Sequence, residues 1–310
     1  MRRLETQLTA DEAFGFRDGI SDPYVAELAT RRQQDDPPSA RPVPLGEFVL
    51  GYPNAYGLLT QRPVLPPGSD PSGHLPVLPP GRDATNPVGG ADLGRNGTYL
   101  VLRSLQQDTA GFAEYVDQQS AASGIDAHLL AAKMVGRWRS GAPLALAPET
   151  DDPGLATANE FGYHHDDQRG LRCPVGSHIR RANPRDSLDP DPGSAASLAV
   201  TDRHRLLRRG RRFAAGNDSD GLHFLALNGN LGRQFEFVQH TWLDNPKFGR
   251  LHDDVDPIVS PRTGRSVFTV PDQPVRRRFA DLPDFVTTLG GAYLFLPGLR
   301  ALRFLAEEPR

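Results

Sequence analysis

The chain has 310 residues and a formal net charge of −3, with 35 basic against 38 acidic side chains, which removes the electrostatic footprint of a general nucleic-acid binder. Its single cysteine, Cys173, excludes an intrachain disulfide framework, a cysteine-rich zinc site and the two-cysteine attachment of a covalent c-type haem. With 31 Gly and 29 Pro, about a fifth of the chain is turn-forming, so long ordered loops are expected around the core.

The first fifteen residues lack the apolar run of roughly 7–15 residues that a secretory signal needs, and no stretch reaches the ~18–20 apolar residues of a membrane span. A soluble, cytoplasmic chain is expected, with export of a longer form left open. Residues 1–30 read as a junction segment around the sharp turn Gly15-Phe16-Arg17-Asp18-Gly19, whose glycines let a ligand or second backbone approach the carboxylate. Residues 31–97 are rich in Pro, Gly and Asp without a sustained period, and read as a long covering loop anchored by Phe48-Val49-Leu50-Gly51-Tyr52.

Residues 98–310 carry the regular structure. Thr98–Arg103 is a β-like run ahead of Asp108, a candidate helix cap, and Phe112, Tyr115 and Val116 recur at helical spacing. Residues 125–135 give a second apolar-faced helix, and a loop at 140–197 follows. The pattern then repeats, with a strand at Leu222–Leu227 and an amphipathic helix from Leu231 to Trp242. Two closing strands, Phe285–Thr287 and Ala292–Leu296, flank Gly290-Gly291, which marks a bulge or turn. This order predicts an α+β sandwich rather than a parallel doubly wound sheet.

The densest chemistry lies in Cys173-Pro174-Val175-Gly176-Ser177-His178-Ile179-Arg180-Arg181-Ala182-Asn183-Pro184-Arg185-Asp186. A neutral His facing an apolar pocket suits haem iron and nearby arginines suit the propionates; a core-edge His beside a solvated basic loop is the bland alternative. His164-His165-Asp166-Asp167 has metal-ligand residue types, but adjacent side chains rarely converge on one ion, and Cys173 reads as a small buried residue.

Together with the Asp18 turn, Leu207-Arg208-Arg209-Gly210, Gln234–Gln239 and Gly290–Pro297, this segment resembles the dye-decolourising peroxidase family, with the motifs in family order. The resemblance implies a ferredoxin-like antiparallel sheet with helices on one face, of the dimeric α+β barrel type, and one haem b per chain. Its implied partners are hydrogen peroxide and aromatic or dye-like electron donors. It makes His178 the iron ligand, Asp18 the distal carboxylate that shuttles a proton, and Arg208 the distal arginine. An acidic activity optimum follows as an expectation. Arg180, Arg181 and Arg185 are candidates for propionate contact, Phe224 for lining the cavity, and Asp284, with Asp272 behind it, for accepting the other ring N–H of His178. Trp138, Trp242 and the tyrosines are candidates for passing electrons from bulky dyes at the surface, with packing as the alternative.

Two departures stand out. The family carries a first ferredoxin-like half before the Gly-x-x-Asp-Gly turn, which here begins at residue 15. Three readings follow: the chain start is misplaced or truncated, another protomer covers the exposed sheet face in a homo-oligomer, or the pocket is incomplete. A truncated, non-catalytic haem-binding or interaction module is the alternative function, and an unrelated Arg-rich anion binder a third. Second, the family's Pro-containing turn after Arg208 is replaced by Arg211-Arg212-Phe213-Ala214-Ala215-Gly216, which predicts a less rigid loop around Arg208.

Overall fold

The computed structural model describes residues 6–7, 11–29, 41–214, 220–262 and 266–307. Residues 31–40 of the expected covering loop and the Ala215-Gly216 end of the segment after Arg208 lie outside the described residues. In chain order, β1 (Thr6–Gln7) precedes β2 (Val77–Leu78) and β3 (Gly90–Ala91), which pair with each other, and β4 (Thr98–Gln107). The helices α1 (Thr109–Ser123), α2 (Ala127–Val135), α3 (His164–Asp167), α4 (His178–Ala182) and α5 (Ala195–Asp202) follow. Then come β5 (Leu207–Ala214), β6 (Asp220–Asn228), the β7 (Val267–Val270) and β8 (Arg277–Ala280) pair, β9 (Val286–Leu296) and α6 (Leu299–Glu307).

Five strands build one antiparallel sheet in the order β1-β5-β6-β4-β9, an α+β architecture whose sheet stays open among the described residues. Among those residues no helix is long and apolar enough to cross a membrane. Strand β4 lies between β6 and β9, placing Val101 beside Ala226 and Tyr293, and Arg103 beside Phe224 and Gly291. Side chains alternate across a strand. One face therefore carries Val101, Arg103 and Leu105 toward the interior, while Leu102, Leu225 and Leu294 stand on the other.

Local chemistry explains the helix boundaries. The Asp108 carboxylate accepts the N–H of Gly111 at 2.8 Å, and that of Asp126 accepts the N–H of Leu129 at 3.0 Å, each satisfying a first-turn donor. Asp108→Ala should lower stability by about 1 kcal/mol in a denaturant titration, with an unchanged m-value. Gly136 ends α2 at φ +102°, and a Cβ there would meet Ile179 Cγ1 at 2.4 Å, so its absence lets α2 close onto α4. The main core packs Phe14, Phe112, Leu130, Met134, Phe268 and Phe285 together. Phe112 lies 4.8 Å from Phe14 and edge-on to Phe285 at 5.2 Å, ring centre to ring centre.

The structure revises three expected elements. The two closing strands are one strand, β9, whose ladder with β4 shifts register between Ser104 and Leu105. Gly290 faces Ser104 and Thr288 faces Leu105, leaving Leu289 as the extra, bulged residue. The helix over Leu231–Trp242 is wound more widely, as two π-helical segments, Gly232–Glu236 and Val238–Leu243. Arg208 lies in a paired strand, not a loop: β5 is laddered to β6 with Arg208 opposite Ala226, so sheet pairing supplies the rigidity that the absent proline was expected to give. In the covering region, Phe48 and Leu50 are fully buried, and Arg62 is held inside between Asp83 and Asp92.

Candidate functional site

A cavity of about 260 Å³ lies between the interior face of the sheet and the segments carrying the chemistry. His178, Asp18, Arg208, Arg185 and Phe224 all line it, with Leu206, Leu222, Phe235 and Ile258 among its apolar walls.

His178 opens α4. Its Nδ1 lies 2.8 Å from Asp256 Oδ2, and the other carboxylate oxygen accepts the backbone N–H groups of Ile258 and Val259 at 2.9 and 2.8 Å. Asp256 is fully buried. Burial works to raise its carboxyl, but the charge and hydrogen bond of His178 and the two N–H groups outweigh it and hold the group below the ordinary aspartate value. An ionised carboxylate only accepts, so Nδ1 carries the hydrogen that reaches Asp256, and Nε2 is the ring nitrogen left to face the cavity. Arg262 braces the acceptor by donating to the Asp256 and Pro257 carbonyls, both at 2.8 Å.

The second pair is Asp18 with Arg208. One Asp18 oxygen is ion-paired with the Arg208 guanidinium, and the other accepts the N–H of Gly210 at 2.6 Å. Burial again pushes upward, but Arg208 and the Gly210 N–H prevail and bring Asp18 below its ordinary value. Gly15 and Gly19 bracket the turn at φ +86° and +79°. Glu12 holds its near side, accepting the N–H groups of Phe14 and Phe16 at 2.9 Å each and the Gln107 amide at 2.6 Å. At Gly210 a Cβ would stand 2.9 Å from Leu222 and 3.2 Å from Asp18 Oδ2, so glycine lets this backbone reach the carboxylate.

Of the three candidate propionate arginines, the structure brings only Arg185 to the cavity. Arg180 is buried against Asp167 at 3.0 Å and donates to the Cys173 carbonyl at 2.6 Å. Arg181, fully buried, donates to the carbonyls of Trp242 and Asp254 at 2.7 and 2.6 Å. Both brace the loop instead. Nor is Asp284 the acceptor for His178; it accepts the N–H of Arg262 at 3.1 Å, and Asp272 pairs with Arg277. Asp256 takes that place. Nothing in Asp253-Asp254-Val255-Asp256-Pro257 distinguished it from its acidic neighbours, because which carboxylate reaches His178 depends on contacts 78 residues apart.

Trp138 and Trp242 are buried; the indole N–H of Trp138 donates to Ala147 O at 2.7 Å, and Trp242 packs edge-on against His204 and Phe237. His164 and His165 lie in α3 off the cavity wall, and the described residues contain no group of three metal-ligating side chains. Arg103, Arg137 and Arg205, which sequence reasoning did not single out, also line the cavity.

No family model matches the chain. It is 34% identical to a dye-decolorizing peroxidase of Auricularia auricula-judae over 94% of its length and 55% of the relative's. To the multifunctional dye peroxidase of Amycolatopsis it is 32% identical, over 67% of this chain and 49% of that one. Among solved structures, DyP2 from Amycolatopsis superposes with a TM-score of 0.70 at 26% identity, over 97% of this chain and 63% of that one. The DyP-type peroxidase of Anabaena gives 0.71 at 22% identity, a likeness of fold. The chain thus spans about half the length of the curated relatives it matches.

Proposed function

This chain is a homologue of the dye-decolorizing peroxidases covering about half their length, and on that premise we propose that it is a haem-dependent peroxidase. It reduces hydrogen peroxide and oxidises aromatic or dye-like donors by single-electron steps. The observation that carries this reading is that one apolar-walled cavity holds both a carboxylate-backed imidazole, His178 with Asp256, and an ionised carboxylate paired to a guanidinium, Asp18 with Arg208.

The residues present fit haem b, one per chain. His178 would hold the iron through Nε2, the ring nitrogen not engaged by Asp256, and the apolar walls would suit a porphyrin. Arginines outnumber carboxylates around the cavity, which suits two propionates. When bound, haem supplies the two-electron reduction of peroxide and the return of those electrons from the donor.

The protein's own work is proton handling and charge placement. With haem bound, Asp18 would hold and return a proton of the peroxide, taking it at one oxygen and giving it to the other so that the oxygen lost could leave as water. Arg208 fixes that carboxylate and offsets the negative charge that develops as the O–O bond opens. Asp256 keeps Nδ1–H of His178 engaged, which orients the ring and strengthens its donation through Nε2.

Titrating the purified chain with haemin, then adding peroxide and a dye, tests this. A sharp Soret band saturating at one haemin per chain, followed by peroxide-dependent bleaching, is the expected result. A Soret band without bleaching would instead establish a haem-binding module, and no band would remove both readings.

A further inference from the structure

The cavity has a second polar end that the proton chemistry does not use. Arg103 on β4 stands level with Phe224 and, through it, with Gly210, whose N–H meets Asp18. Leu105 and Gln107 continue the same face of the strand, which puts Gln107 roughly 13 Å further along it than Arg103. The cavity wall there is apolar, with Phe14, Phe16, Leu105, Leu222 and Val286 on it.

Gln107 is only 4% exposed, and its amide is held in one sense. Nε2 donates to Glu12 Oε2 at 2.6 Å, and the same carboxylate accepts the N–H groups of Phe14 and Phe16. Glu12 thus takes the NH2 side of the amide, and the carbonyl oxygen Oε1 must find its donor elsewhere. Among the described residues it finds none, although it is buried. A buried acceptor without a donor is costly, and a hydroxyl brought in from outside removes that cost.

The same end of the cavity has an opening. Val286 faces Gln107 across the β4–β9 ladder, and Thr288, two residues on, is exposed and also lines the cavity. The ladder breaks at the next residue, the bulged Leu289, and a bulge bends its strand and re-aims the side chains beside it.

We propose that this end of the cavity is a subsite for a flat aromatic molecule carrying a neutral hydroxyl, which donates to Gln107 Oε1 while the ring lies against Phe14, Leu105 and Val286 and enters past Thr288. That the molecule serves as an electron donor rests on the peroxidase reading above; its binding does not need the cofactor. The aryl methyl ether of the same ring has no hydrogen to donate, so seating it leaves Oε1 bare, and the subsite rejects it.

The test is equilibrium dialysis of the full chain against naphthol and against naphthyl methyl ether, with and without saturating haemin. The alcohol should bind at least about tenfold more tightly than the ether, the effect of one buried acceptor left unpaired. Gln107→Met, similar in length and without the amide, should bring the alcohol down to the level of the ether and leave ether binding unchanged. Thr288→Trp, at an exposed position, should weaken both, and haemin should leave the alcohol bound. Equal binding of alcohol and ether by the unaltered chain overturns the subsite, as does a preference that survives Gln107→Met, a Thr288→Trp chain that binds both like the parent, or displacement of the alcohol by haemin. Failure to take up haemin, with the preference for the alcohol intact, overturns the peroxidase reading and leaves the subsite standing. The comparison of alcohol with ether needs no variant, and Thr288→Trp locates the site even where Gln107→Met fails to fold.

Discussion

Replacing Asp18 by Ala should slow peroxide-dependent dye oxidation by about 10²–10⁴-fold while haemin uptake stays at the parent level. The side chain removed is the carboxylate on the cavity wall that can take and return the peroxide proton, and its two oxygens are already aimed by Arg208 and the Gly210 N–H. His178 and Asp256 are untouched, so the absorption spectrum should be unchanged. An Asp18→Ala chain that turns over like the parent would refute the assignment. The pH profile gives an independent check. Because Asp18 is held below its ordinary value, the active carboxylate is lost only as the pH falls through that lowered value, more acidic than an ordinary aspartate requires. The same sign governs stability. The ion pair contributes fully above the unfolded-state aspartate value of about 3.9 and fades as the pH falls through the folded one. Arg208→Ala removes the cation and leaves only backbone N–H groups opposing burial, so the acid limb should move to higher pH. An unmoved limb would show that another group sets it.

Asp256→Asn should weaken haemin binding by about 10–100-fold and alter the spectrum of the bound iron, measured by competitive haemin transfer and absorbance. Asn is nearly isosteric and can still accept from His178, so folding is tested lightly while the charge behind the ring is removed. The fully buried carboxylate accepts from His178 and two backbone N–H groups, so its loss falls first on the imidazole's donor strength and orientation. His178→Ala should abolish stoichiometric uptake. If Asp256→Asn binds haemin with parent affinity and spectrum, the carboxylate positions nothing.

How far the site was legible in the sequence follows from how local each signal is. The Asp18 turn could be read because two glycines and an Asp within five residues state their own backbone geometry. Helices α1 and α2 could be read because their Asp caps and apolar spacing are consecutive. Strand β5 was hidden, since arginines occupy both faces of Leu207–Ala214 and blur the alternation that marks β6. Asp256, Arg137 and Arg205 stayed invisible for another reason. Arg137 and Arg205 reach the cavity, and Asp256 reaches His178, only through distant packing, and in a chain whose basic residues are almost all arginine no single arginine announces a role. The same abundance made Arg180 and Arg181 look like cofactor contacts, when burial beneath α3 and the Val238–Leu243 segment had already committed them to carbonyls and Asp167.

Among the described residues strand β9 ends the sheet with a ladder on one side only. Along its eleven residues Leu289, Tyr293 and Leu294 are 55%, 49% and 41% exposed, and no lysine or proline interrupts it. An edge of this kind is a template for the addition of another strand, and such edges are usually blunted by charge or shape. Here the bulge at Leu289 is the interruption, and it divides the open edge unevenly, with the longer uninterrupted part running to Leu296. A strand added to the sheet at this rim would lie on the far side of β4 from β5 and the Asp18–Arg208 pair.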